Sequence, residues 1–100
     1  MREDEKQFFI AMLKNHKFQS YIDGIQFADD VAEDIGLNKK RAEFLLEKWY
    51  DYGFWNYGFG RHYSIISGWF ELENLIEPYK EIYDKYMQEI DKLLNETIIV

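Results

Sequence analysis

The chain has 100 residues, 47% apolar and 31% charged, which is the make-up of one globular domain and neither a disordered nor a membrane-spanning one. No apolar run approaches bilayer length, the acidic start Met1-Arg2-Glu3-Asp4-Glu5-Lys6 does not fit a secretion signal, and the lack of cysteine excludes disulfides and thiolate metal sites, so the cytoplasm is the expected compartment. The net charge of −7 repels nucleic acid and anionic membranes overall, so any nucleic-acid contact has to rest on local charge.

Residues 4–17 are predicted to form a helix. Phe8, Phe9, Met12, Leu13 and His16 recur at helical spacing on one apolar face, and Asp4 suits the positive end of the helix dipole. A second helix is expected from Asp23. Asp23 and Gln26 have capping-box spacing, and Ile22 with Phe27 has that of a hydrophobic staple. Its apolar stripe runs through Phe27, Val31, Ala32 and Ile35, and Gly36 is placed to end it in the left-handed conformation. Asn38 is a good N-cap for a third helix, whose core face is Ala42, Leu45, Leu46, Trp49 and Tyr52 and whose end is Gly53. Two helices joined by the tight Gly36-Leu37-Asn38 turn make a helix-turn-helix unit.

The pattern then changes toward a period of two. Phe54-Trp55-Asn56-Tyr57 and His62-Tyr63-Ser64-Ile65-Ile66 are aromatic and β-branched, with Gly58 and Gly60 between them, so a β-hairpin is expected, with Gly68 breaking the second strand. Beyond it Leu72, Ile76, Tyr79, Tyr83, Tyr86, Ile90 and Leu93 alternate steps of four and three, a heptad seam. Asn74 and Glu77 offer a capping box for this last helix, with Pro78 close enough to its start to be tolerated. The apolar tail Thr97 to Val100 fits none of these elements. Aromatic residues, 19% of the chain and concentrated between Phe44 and Tyr86, exceed what one small core can hide, so some are expected at an interface.

Ala28 through Leu37 resembles the second helix and turn of bacterial winged helix regulators. Ala42 through Phe54 resembles their recognition helix entering the wing, and Gly58-Phe59-Gly60-Arg61 looks like a short wing tip. The likeness spans residues 22–67, and it is a pattern of core positions, specific for fold and weak for function. The last helix is similar in placement to the dimerisation helix of PadR-type repressors, and the compact aromatic form is similar to winged helix domains of phage replication organisers. The chain departs from most such regulators in its acidity and in having no obvious strand before the second helix.

The expected fold is thus mainly α with a small β-hairpin wing: a winged helix-turn-helix over residues 1–70, and over 71–100 a long C-terminal helix belonging to the same domain. The resemblance implies binding of double-stranded DNA by a small transcriptional regulator or mobile-element accessory factor. Its contacts would come from Asn38, Lys39, Lys40, Arg41 and Phe44 at the start of the third helix, and from Arg61 and His62 at the wing. Three cations at a helix N-terminus oppose its dipole, which suggests a use elsewhere. The alternative is a winged helix that binds only a protein partner, favoured by the acidity, by Asp29, Asp30, Glu33 and Asp34 on the second helix, and by the aromatic surplus. A contiguous positive patch around the third helix would favour DNA; an apolar or acidic one would favour protein. The seam from Leu72 to Leu93, about 33 Å long, is more than a three-helix core can cover, so a homodimer is expected. No nucleophile–base pair, phosphate loop or metal-ligand spacing occurs, so neither catalysis nor a cofactor is expected.

Overall fold

The computed structural model describes residues 1–18, 26–57 and 67–98, and the side chains among them at 1–15, 28–57 and 68–93. The elements are α1 (Glu3–Phe18), β1 (Gln26–Phe27), α2 (Ala28–Asp34), α3 (Lys39–Tyr52), β2 (Trp55–Tyr57), β3 (Ser67–Phe70) and, after a 3₁₀ turn at Leu72–Asn74, α4 (Tyr79–Ile98). The domain is mainly helical with a small antiparallel sheet. A helix, a short strand, two helices joined by a tight turn and two further strands are followed by the long C-terminal helix. Among the described residues, no helix is long and apolar enough to cross a membrane.

The helix-turn-helix follows its local signals closely. Asn38 adopts an extended backbone, and its side chain accepts hydrogen bonds from the amides of Lys40 at 2.8 Å and Arg41 at 3.4 Å. Gly36 and Gly53 take φ of 72° and 92°, and both helices close on the same pair of bonds. Gly36 N donates to Glu33 O and Leu37 N to Ala32 O; Gly53 N donates to Tyr50 O and Phe54 N to Trp49 O. A side chain at either glycine would have to hold a left-handed backbone, so both ends depend on glycine.

The start of α2 departs from the expected capping box. Gln26 and Phe27 form β1, paired with Gly68 and Ser67 of β3, so the helix begins at Ala28. This is the strand before the second helix that the sequence appeared to lack, and it is made by a partner far along the chain. Ile22 and Asp23 lie outside the described residues. Ile35, expected on the apolar stripe, follows the end of α2 and is exposed.

The sheet order is β1-β3-β2, with Trp55, Asn56 and Tyr57 opposite Phe70, Trp69 and Gly68. Gly68 lies inside β3 and does not break it. Its position has neighbours on both sides, and a Cβ there would run into the carbonyl oxygen of Asn56 and lie 2.6 Å from the Trp55 ring. Residues 58–66, which include the whole of the expected second strand His62 to Ile66, lie outside the described residues, and β3 follows them.

The core is aromatic. Trp49 of α3 stacks on Phe8 at 5.4 Å and meets Phe9 edge-on at 5.5 Å, while Phe9 also meets Phe54, Phe70 and Tyr79. Phe8, Phe9, Met12, Leu13, Ala42, Leu45, Leu46 and Trp49 are all buried as their spacing predicts. Part of the aromatic surplus is absorbed here, since Phe54, Trp55, Phe70 and Tyr79 are buried as well. Tyr52, expected on the core face, is 46% exposed: it sits in the last turn of α3, with its ring at the rim of Phe54 and Tyr79 and under the Lys48 ammonium. The side chain of His16 lies outside the described set.

The C-terminal helix is shorter at its start than the heptad pattern predicts. Pro78 cannot donate a backbone hydrogen bond and disfavours helix in the residue before it, so α4 starts at Tyr79 and Leu72 and Ile76 precede it. Asn74 does not cap α4; its side chain donates to Gly53 O at 3.1 Å, tying the 3₁₀ turn to the end of α3. Glu77 instead accepts from the amide of Glu81. The chain's own fold covers most of the expected dimer seam: Tyr79 belongs to the core, Ile90 is buried, and Leu72, Tyr83 and Tyr86 pack partly against the core. Ile76 is 43% exposed and Leu93 61% exposed, so the uncovered apolar positions lie at the two ends. The helix reaches Ile98, so part of the otherwise unassigned tail is helical.

Candidate interaction face

The basic turn at the start of α3 is largely neutralised from within. Arg41 turns back to α1, where its Nε donates to Asp4 at 2.9 Å and its Nη2 to the other oxygen at 3.3 Å. This fork fixes α3 against the first turn of α1. The Arg41 hydrogen bond holds the Asp4 carboxyl below its usual range, and Asp4 raises Arg41 in return. Lys39 lies 3.7 Å from Asp29 of α2. Asn38 is occupied in capping, so its amide oxygen does not read a base edge. Only Lys40 of the expected cluster points outward with no side-chain partner among the described residues. Arg61 and His62 fall outside the described residues. Of the expected contact residues that are described, Arg41 and Asn38 bond within the fold, Lys39 lies beside Asp29, and Lys40 and Phe44 are exposed.

What α3 presents outward is acidic and aromatic. Glu43 and Asp51 are exposed. Glu47, half-buried between them, accepts the Tyr57 hydroxyl at 3.3 Å. Phe44 is 58% exposed, with the Arg41 guanidinium 5.4 Å from its ring centroid. Tyr50 is 40% exposed and packs on Tyr57 of β2 at 5.4 Å. Asp30, Glu33 and Asp34 of α2 are also outside the core. The outward side of α3 thus carries Glu43, Phe44, Tyr50 and Asp51, with exposed Lys39 and Lys40 at its start.

A second polar constellation lies inside the domain, and its key member was legible but overlooked. Glu5 falls on the apolar face of α1, one turn before Phe8 and Phe9, and is only 2% exposed. A charge on a core stripe needs partners, and Glu5 has three. Lys48 donates to one carboxylate oxygen at 3.0 Å; Trp49 Nε1 at 3.0 Å and the Tyr79 hydroxyl at 2.5 Å donate to the other. Burial pushes the Glu5 carboxyl up, but the hydrogen bonds from Tyr79, Trp49 and Lys48 outweigh it and hold it below its usual value. Burial and the neighbouring carboxylate push the Tyr79 hydroxyl well above its ordinary range. Glu5 thereby stays an ionised acceptor and Tyr79 a neutral donor, which suits a structural junction of α1, α3 and α4 better than proton transfer. A small cavity of about 230 Å³ beside it is bounded by Met1, Lys48, Tyr52, Ile76 and Pro78. A larger groove, about 480 Å³, runs between α1 and α4 along Ile10, Ile82 and Tyr86 with Lys6, Lys85 and Glu89 at its rim. Among the described residues, no group of three or more His, Asp or Glu side chains could hold a metal ion.

Compared with protein-family models, with curated proteins and with solved structures, the chain finds no match.

Proposed function

We propose that the chain is a binding module of winged helix form that uses the outer face of α3 to hold a protein partner, with no catalytic role and a cytoplasmic residence. One observation carries this reading: α3 turns Phe44 outward among Glu43, Glu47 and Asp51, while Arg41 and Lys39 are paired within the domain. An exposed aromatic ring flanked by polar groups is a common anchor of protein interfaces. Carboxylates on the same face oppose a phosphate backbone.

A second reading, binding of duplex DNA as a small transcriptional regulator, keeps the support of the element order and of exposed Lys40 in the first turn of α3. Titration of labelled random duplex DNA at about 50 and 150 mM salt separates the two. The protein-partner reading expects no saturable binding tighter than about 10⁻⁴ M at the higher salt. Micromolar binding that falls on Lys40→Ala and Arg61→Ala, with a shallower salt slope, overturns it. A homodimer is the weaker part of the proposal. Intramolecular packing of Tyr79 and Ile90 leaves a second copy chiefly the outer end of α4 at Leu93. Sedimentation of the wild type and of Leu93→Asp at micromolar concentration tests it, a monomeric wild type removing the dimer.

A further inference from the structure

We infer that the partner of the α3 face presents arginine side chains to it. The inference rests on the protein-binding reading above and adds the chemistry of the partner. Residues Glu43, Glu47 and Asp51 are four apart, so they lie in one row along α3 with about 6 Å of rise between neighbours. Like charges at that spacing weaken a helix. Asp51 also stands in the last turn, where the helix dipole disfavours an anion and no basic residue offsets it. Glu47 is tied to Tyr57 of β2, but Glu43 and Asp51 are exposed, and the row is complementary to a row of cations.

The rings beside it select the kind of cation. Phe44 is exposed, and its ring already hosts one guanidinium, that of Arg41 at 5.4 Å. Tyr50, also exposed, lies further along the same face. A guanidinium stacks flat on an aromatic ring while its fork meets a carboxylate through two parallel bonds, whereas an ammonium meets ring and carboxylate only as a compact point charge. Rings and carboxylates alternating within one or two turns thus fit arginine better than lysine.

Selection from a random peptide library against the full chain tests this. Peptides enriched in arginine are expected. Their affinity should fall about tenfold on Phe44→Ala and on Glu43→Gln/Glu47→Gln, and several-fold when the peptide's arginines become lysines. The control Glu89→Gln/Asp91→Asn, an equal change of charge on α4, should leave affinity within about twofold. Matching circular dichroism spectra establish that each variant is folded. Phe44-dependent peptides without arginine enrichment overturn the inference alone and leave the protein-binding reading standing. Arginine-rich peptides that bind the Glu43→Gln/Glu47→Gln variant unchanged, or weaken equally on the α4 control, also overturn it. An absence of any Phe44-dependent peptide overturns both.

Discussion

Two neighbouring acids on α1 do the same topological task in different surroundings. Asp4 reaches Arg41 and Glu5 reaches Lys48, so both pin the first turn of α1 to α3. The Asp4–Arg41 side chains remain 29% and 24% exposed, whereas the Glu5 side chain is 3% exposed and takes two further hydrogen bonds, from Trp49 and Tyr79. Water competes with the first pair and screens it. At the second, Trp49 Nε1 and the Tyr79 hydroxyl are buried and are stranded by loss of the carboxylate, while Lys48, 32% exposed, can turn to water. Two adjacent residues of like charge thus differ in consequence because burial, and the number of groups left unpaired, sets the energy.

The sharpest way to break the contrast is to remove the buried acid. Glu5→Leu strands the buried Trp49 Nε1 and Tyr79 hydroxyl and breaks the pair with Lys48, and should cost about 3–5 kcal/mol. In a domain of this size that is a fall in Tm on the order of 15 °C or more, read by thermal unfolding. A loss of only a few degrees would show that the junction relaxes around the missing charge.

Acid should act on the same group. Glu5 is held below its ordinary value of 4.5, so its contribution to stability is fully present above that pH and is lost as pH falls through the lower, folded value. The wild type should therefore lose Tm on going from pH 5 to about pH 3 more steeply than Glu5→Gln does. Asp4, shifted the same way by Arg41, supplies the slope that remains in the variant. Equal slopes would remove Glu5 from the account.

Tyr79→Phe keeps the ring among Phe9, Trp49 and Phe54 and deletes one donor to Glu5. About 1–2 kcal/mol is expected, because Lys48 and Trp49 still satisfy the carboxylate. The smallest effect belongs to the surface pair. Arg41→Ala should lower Tm less than Tyr79→Phe and lose even that difference at about 1 M salt, measured in parallel. If Arg41→Ala proves the more damaging, the fork to Asp4 and the contact with Phe44 outweigh the buried network, and the comparison reverses.

Much of this protein was written locally. The apolar face of α1, the Asn38 cap, the glycine ends at Gly36 and Gly53, and the core face of α3 are decided by neighbours within a few residues, so spacing and residue type suffice to find them. Pro78 is equally visible, and it, not the heptad spacing that runs through it, sets where α4 starts.

Tertiary structure decided the rest. The strand at Gln26 and Phe27 exists because Gly68 and Ser67 lie alongside it, and nothing within its own two residues announces that partner. The same holds for the candidate site. From the sequence, Asn38-Lys39-Lys40-Arg41 is a basic cluster. Only folding brings Asp4, 37 positions away, onto Arg41, and sets Asp29 beside Lys39. Glu5 was identifiable as a charge on a core stripe, yet its donors sit as far as 74 positions along the chain. Periodicity records which side of a helix faces inward, because that depends on local geometry alone. It cannot record which charges cancel, because Coulomb and hydrogen-bond partners are fixed by distance in space and not by distance along the chain.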